Sequence, residues 1–141
     1  MTAQRTVLFV CVGNAGRSVM AEAIFNKFAP KGWRASSAGV SPARATNPNT
    51  GPALSEIGVP LPPHPPQGLT EPMGRSATVL VSIGALDDAA CPEWFSQIHP
   101  RRWELPDTHH ADAEGFREIR DAIRSKVDAL IAELREEEPQ G

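Results

Sequence analysis

Cys11 ends an apolar run, Val7-Leu8-Phe9-Val10, and is followed by Val12-Gly13-Asn14-Ala15-Gly16-Arg17-Ser18. From Val19 onward the residues are helix formers, so the stretch reads as strand, tight loop and helix N-terminus. A loop of this kind can turn its backbone N–H groups inward around a tetrahedral oxyanion, and the helix dipole adds positive potential there. Arg17 supplies a planar fork of donors for two oxygens of one anion. Cys11 then lies on the floor of an electropositive cup, a setting that favours the thiolate, the nucleophilic form of the side chain. The Ser18 hydroxyl is placed to donate to that sulfur. Val12, Gly13, Asn14, Ala15, Gly16, Arg17 and Ser18 are the candidate oxyanion-binding residues. A cysteine at a strand end is ordinarily a small buried hydrophobe. An arginine six positions further on has no place in that plainer reading. Farther along the chain, Asp107 directly follows a short strand and can protonate a departing oxygen. The plainer role for Asp107 is to cap a turn. Cys91 is the second thiol.

The elements that must position these residues follow from periodicity. Thr6 to Val10 is valine-rich and nearly all apolar, as expected of a parallel strand covered on both faces. From Ser18, Met20, Ile24, Phe25 and Phe28 recur at helical spacing and stop before Pro30. Arg34 to Val40 is a second strand, which completes a βαβ unit. Ligands of open α/β sheets bind beyond the carboxyl ends of the strands, where Cys11 stands. Asn47 to Gly58 predicts a short helix with Ala53, Leu54 and Ile57 inward and Gly58 as its cap. Val59 to Pro72 is too rich in proline for a central strand or a helix interior and reads as a surface loop. His64, within it, is expected to face solvent. Ala77 to Ile83 is a third strand, broken by Gly84, with a loop from Ala85 to Pro92 and a helical turn at Pro92 to Phe95. Arg101 to Leu105 is a fourth strand. Phe116, Ile119, Ile123, Val127, Leu130, Ile131 and Leu134 mark an amphipathic last helix. Glu136-Glu137-Glu138 is a solvated end.

Residues 1–141 therefore read as one α/β domain. The chain is 40% hydrophobic and 22% charged, with a net charge of −3, which does not suggest a nucleic-acid partner. No apolar run approaches the roughly 18 residues of a membrane span. Met1 to Arg5 has neither the length nor the order of a signal peptide, so a cytoplasmic location is expected. Two cysteines make no disulfide framework. His109 and His110 lack a third ligand at useful spacing, and no metal site is read from them.

Cys-x5-Arg-Ser after a first strand, followed by Met20-Ala21-Glu22-Ala23, resembles the low-molecular-weight protein tyrosine phosphatase superfamily, which includes the thiol-coupled arsenate reductases. The resemblance extends over nearly the whole chain. It implies a three-layer domain with a four-stranded, twisted parallel sheet flanked by helices. It also implies that Asp107 is the acid of a loop before the final helix. Trp103-Glu104-Leu105-Pro106-Asp107 keeps the spacing from the tryptophan, while Thr108 stands where the family usually has proline.

Cys91-Pro92 resembles the later of two cysteines in the redox loop of thioredoxin-coupled arsenate reductases. The earlier one would fall near Ser82-Ile83-Gly84, where no cysteine occurs. The resemblance thus implies two chemistries. In one, arsenate is reduced to arsenite, as in arsenic detoxification, through a Cys11 adduct. A second thiol, Cys91 or an external thiol such as thioredoxin, resolves that adduct, and no cofactor is bound. In the other, a phosphomonoester is hydrolysed through a cysteinyl-phosphate. The family's phosphatases often place tyrosines near the acid loop, and this chain has none. A non-enzymatic oxyanion-binding module would have no use for both Cys11 and Asp107.

Overall fold

β1 (Arg5–Cys11) is an inner strand, flanked by β2 (Trp33–Gly39) on one side and β3 (Val79–Ile83) on the other, with β4 (Arg101–Trp103) beyond β3. This computed structural model describes residues 4–84, 91–106 and 111–137. All three strand pairings are parallel. Phe9 lies between Ser37 of β2 and Val81 of β3, and Cys11 pairs with Gly39 at the carboxyl end of the sheet.

The helices are α1 (Arg17–Phe28), α2 (Thr50–Ser55), α3 (Glu71–Ser76), α4 (Glu93–Gln97) and α5 (Ala113–Glu136). Alternation along β1 splits the core into two layers. Val7, Phe9 and Cys11 join Met20, Ile24 and Phe25 of α1 and the apolar stripe of α5, from Phe116 to Leu134. Leu8 and Val10 join Leu80 and Phe95 on the opposite face, against Met73 of α3 and Trp94 of α4. Both faces of β1 are covered, as its continuous apolar run requires. The α/β layers and the four-stranded parallel sheet agree with the architecture that the resemblance implies.

Local chemistry sets the element ends. α5 starts at Asp112, whose carboxylate accepts from the Gly115 N–H at 2.9 Å, an N-cap that the periodicity alone does not locate. Between Asn47 and Gly58 only Thr50–Ser55 is helical, and Gly58 turns the chain with a φ of 72°. α3 emerges from the proline-dense segment because Pro72 falls in its first turn, where a missing N–H costs nothing, and Thr70 caps it. β4 is shorter than the sequence suggests, since Glu104 and Leu105 leave the ladder. No described helix is long and apolar enough to cross a membrane.

Candidate active site

The loop between β1 and α1 is held by its carbonyls. Those of Cys11, Val12 and Gly13 accept from the N–H groups of Val40, Ser41 and Ala43 at 3.2, 2.9 and 2.9 Å. The Ala15 carbonyl accepts from the Asn47 N–H at 3.0 Å and from the Thr50 hydroxyl at 2.7 Å. In a planar trans peptide the N–H points opposite to the carbonyl. With these carbonyls turned toward the segment after β2, the N–H groups of Val12, Gly13, Asn14 and Gly16 turn the other way, away from that segment. The Asn14 N–H indeed points at Cys11 Sγ, 3.3 Å away. Gly39 makes this possible: a Cβ there would stand 2.6 Å from the Val12 carbonyl oxygen and 2.9 Å from the Asn14 nitrogen, both backbone atoms.

Ser18 Oγ lies 2.9 Å from Cys11 Sγ. The direction of that bond follows from the next one. Asn14 Nδ2 donates to Ser18 Oγ at 2.9 Å, which leaves the hydroxyl proton for the sulfur. The same amide donates to Ser37 Oγ at 2.8 Å, while Asn14 Oδ1 accepts from the Gln67 N–H at 2.9 Å. The Ser37 hydroxyl donates in turn to Glu22 Oε1 at 2.6 Å. Glu22, buried, faces His64 Nε2 at 2.8 Å, and His64 Nδ1 sits 2.8 Å from the Pro65 carbonyl. A ring whose two nitrogens face a carbonyl and a carboxylate is best satisfied as the imidazolium. Burial pulls the His64 pKa down, but the Pro65 carbonyl and the Glu22 carboxylate outweigh it and hold the pKa above the ordinary histidine value.

This chain of contacts from Cys11 to His64 corrects the expectation that His64 faces solvent: its side chain is 23% exposed and closes the network. The signal in the sequence was Glu22. An acid inside the apolar run Met20 to Phe25, one turn beyond Ser18, has to find a partner when that run is buried.

Arg17 is buried at the carboxyl end of the sheet, and its Nη1 donates to the Leu105 carbonyl at 3.3 Å. The structure thus gathers Cys11, residues 12–16, Arg17 and Ser18 at one sheet end. Asp107, with His109 and His110, lies outside the described residues. Cys91 is half-buried and packs with Leu8, Val10 and Phe95, the layer opposite to the one that holds Cys11. Neither cysteine is in a disulfide. Beside Arg17, a cavity of about 530 Å³ opens between Gly84 and the stretch from Arg102 to Pro106.

The family model of low molecular weight phosphotyrosine protein phosphatases matches residues 6–140. The chain belongs to this family. Low-molecular-weight phosphatase relatives include an arsenate reductase of Brevibacillus brevis, 28% identical over 127 residues that make up 90% of this chain and 94% of the relative. A thioredoxin-dependent arsenate reductase of Corynebacterium glutamicum superposes with a TM-score of 0.80 at 30% identity, over 97% of this chain and 65% of that one. An arginine phosphatase of Geobacillus stearothermophilus superposes with a TM-score of 0.83 at 23% identity, over 97% and 99% of the two chains, a likeness of fold. An arsenate reductase and an arginine phosphatase thus share this fold.

Proposed function

We propose that the protein is an arsenate reductase whose nucleophile is Cys11. The observation that carries the reading is the cup itself, a free thiol that receives the Ser18 hydroxyl and an inward N–H, with Arg17 beside it. The likeness to arsenate reductases over 90% of the chain supports arsenate as the oxyanion.

The inward N–H groups and the Arg17 fork hold arsenate and stabilise the charge that builds on its oxygens. The Cys11 thiolate attacks arsenic, an As–O bond breaks, and Asp107 gives the departing oxygen its proton so that water leaves. A second thiolate then attacks Cys11 Sγ. The S–As bond breaks, its electron pair stays on arsenic, and As(V) becomes As(III). Arsenite leaves, and the two sulfurs are oxidised to a disulfide that an external dithiol such as thioredoxin reduces. No bound cofactor takes part. The second thiol is Cys91 or that of an external reductant. For Cys91 to serve, its Cα must come within about 7 Å of that of Cys11.

Two observations favour a second reading. Cys91 packs in the opposite layer of the core, and positions 82 to 84 carry no thiol. Hydrolysis of a phosphomonoester needs neither: Cys11 attacks phosphorus, Asp107 protonates the leaving group, and water hydrolyses the cysteinyl-phosphate.

The deciding experiment couples arsenate turnover to thioredoxin, thioredoxin reductase and NADPH, beside hydrolysis of p-nitrophenyl phosphate, for wild type, Cys11→Ser and Cys91→Ser. The expected result is arsenate turnover by wild type and none by Cys11→Ser. Loss of arsenate turnover in Cys91→Ser, with ester hydrolysis intact, assigns the resolving thiol to Cys91. Retained turnover assigns it to the external reductant. Ester hydrolysis without arsenate turnover, under thioredoxin or small thiols, makes the protein a phosphatase.

A further inference from the structure

Gly84 ends β3, and its backbone has a φ of 77°, in the left-handed region. Its N–H donates to the Trp103 carbonyl at 2.8 Å, which fixes it against the end of β4. A Cβ built on Gly84 would overlap Arg17 Nη1 and stand 3.0 Å from Cζ and 3.4 Å from Nη2. Three atoms of the guanidinium therefore lie over the bare Cα of Gly84. The Leu105 carbonyl, two residues past β4, takes a hydrogen bond from Nη1. The ends of β3 and β4 thus form a seat for the guanidinium of a residue that α1 contributes.

We propose that Gly84 is a positioning residue for Arg17, and that the absence of a side chain at this position sets the angle at which the fork meets a bound oxyanion. The proposal rests on the reading of the cup as an oxyanion site. A planar fork recognises two oxygens of one anion only when its plane and its reach are both right. The guanidinium is the far end of a flexible side chain, so a Cβ at position 84 moves Arg17 more readily than it moves the sheet. Substitution here costs the site more than it costs the fold.

Gly58 provides the control. It has a φ of 72°, close to that of Gly84, and nothing lies within 4 Å of a Cβ built on it. Gly58→Ala carries the left-handed strain without touching Arg17. Gly84→Asn complements it, because asparagine tolerates the left-handed region but still brings a Cβ.

The measurement is protection of Cys11 by inorganic phosphate against alkylation with iodoacetamide, alongside thermal unfolding. Gly84→Ala and Gly84→Asn should need about tenfold more phosphate for half-protection, as expected when one hydrogen bond to a charged group is lost. Gly58→Ala should match wild type within about twofold while losing as much thermal stability as Gly84→Ala. In an Arg17→Ala background, Gly84→Ala should add nothing further. Wild-type phosphate dependence in both Gly84 variants, with Arg17→Ala impaired, overturns the seat and leaves the cup standing. Equal weakening by Gly84→Ala in both backgrounds also overturns it. If Arg17→Ala itself leaves phosphate protection unchanged, the cup reading falls and takes the seat with it.

Discussion

Asn14 holds a φ of 51°, a conformation that costs an L-residue about 1–2 kcal/mol, and its amide explains why it does so. Turned this way, the buried side chain gives both protons to serines and takes one from Gln67. Glycine would relieve the backbone and empty the network, whereas alanine would do neither good. Asn14→Ala should therefore destabilise the fold by about 1 kcal/mol more than Asn14→Gly in urea unfolding. Both variants should slow alkylation of Cys11, because Ser18 loses the donor that commits its own proton to the sulfur. Equal reactivity of the thiol in all three proteins would remove Asn14 from the site's chemistry. At this scale the sequence was informative where a residue's type fits one purpose. That Cys11, Arg17 and Ser18 come together at one sheet end could be read directly. His64 could not, since its partner Glu22 is 42 positions away and only the folded chain brings them together.

Among the elements, the proline-dense segment turns out to be a strap. Gln67 and Leu69 bond Gly39 from either side, so the strap extends the free edge of β2 by one bridge. Gln67 adds two more ties, to Asn14 and to the Ser37 carbonyl, and His64 anchors the other end on Glu22. That anchor titrates. The native histidine binds its proton more tightly than the unfolded one, so the native state carries more bound protons and stability falls as pH rises through the raised value. The contribution is complete below the ordinary value of 6.5 and fades as pH climbs past the raised native one. His64→Gln should flatten this part of the profile. The gap in melting temperature between wild type and His64→Gln should be widest in mild acid and narrow on the alkaline side. A gap that stays constant with pH would mean that the ring is held neutral. Proline content revealed what the strap is not, neither strand nor helix interior, but the bonds that order it are made by Gln67 and His64 to distant partners. Composition has no means of showing those.

For the molecule as a whole, stability rests on the layer between the sheet and the α1–α5 pair. Ile123 is fully buried in it, and Ile123→Ala should cost about 2–5 kcal/mol by denaturant unfolding. A loss below about 1 kcal/mol would show that the layer closes around the gap. The long period of α5 and the valine-rich run of β1 made the α/β class legible, because both patterns report burial directly. β4 and α2 are shorter than the sequence predicts, since short elements end where hydrogen-bond partners run out, and these depend on the neighbouring strand or turn. Cys91 was legible as a thiol but not by location, because which face of a sheet a loop residue joins is a property of the packed chain.

The seat under Arg17 divides the work of the site between two parts of the chain. Among the described residues, the groups proposed to grip an anion come from the stretch between Cys11 and Gln67, namely the loop, its carbonyl ties and the serine–asparagine–glutamate network. The cavity that opens beside the cup, between Gly84 and Pro106, comes from later residues. Arg17 links the two, through Gly84 and Leu105. Anion affinity and the fate of the captured anion can thus vary independently. Exchanging residues 85–110 with those of a family phosphatase or reductase should redirect what is done to the bound ion while its dissociation constant stays nearly fixed, so long as position 84 remains glycine.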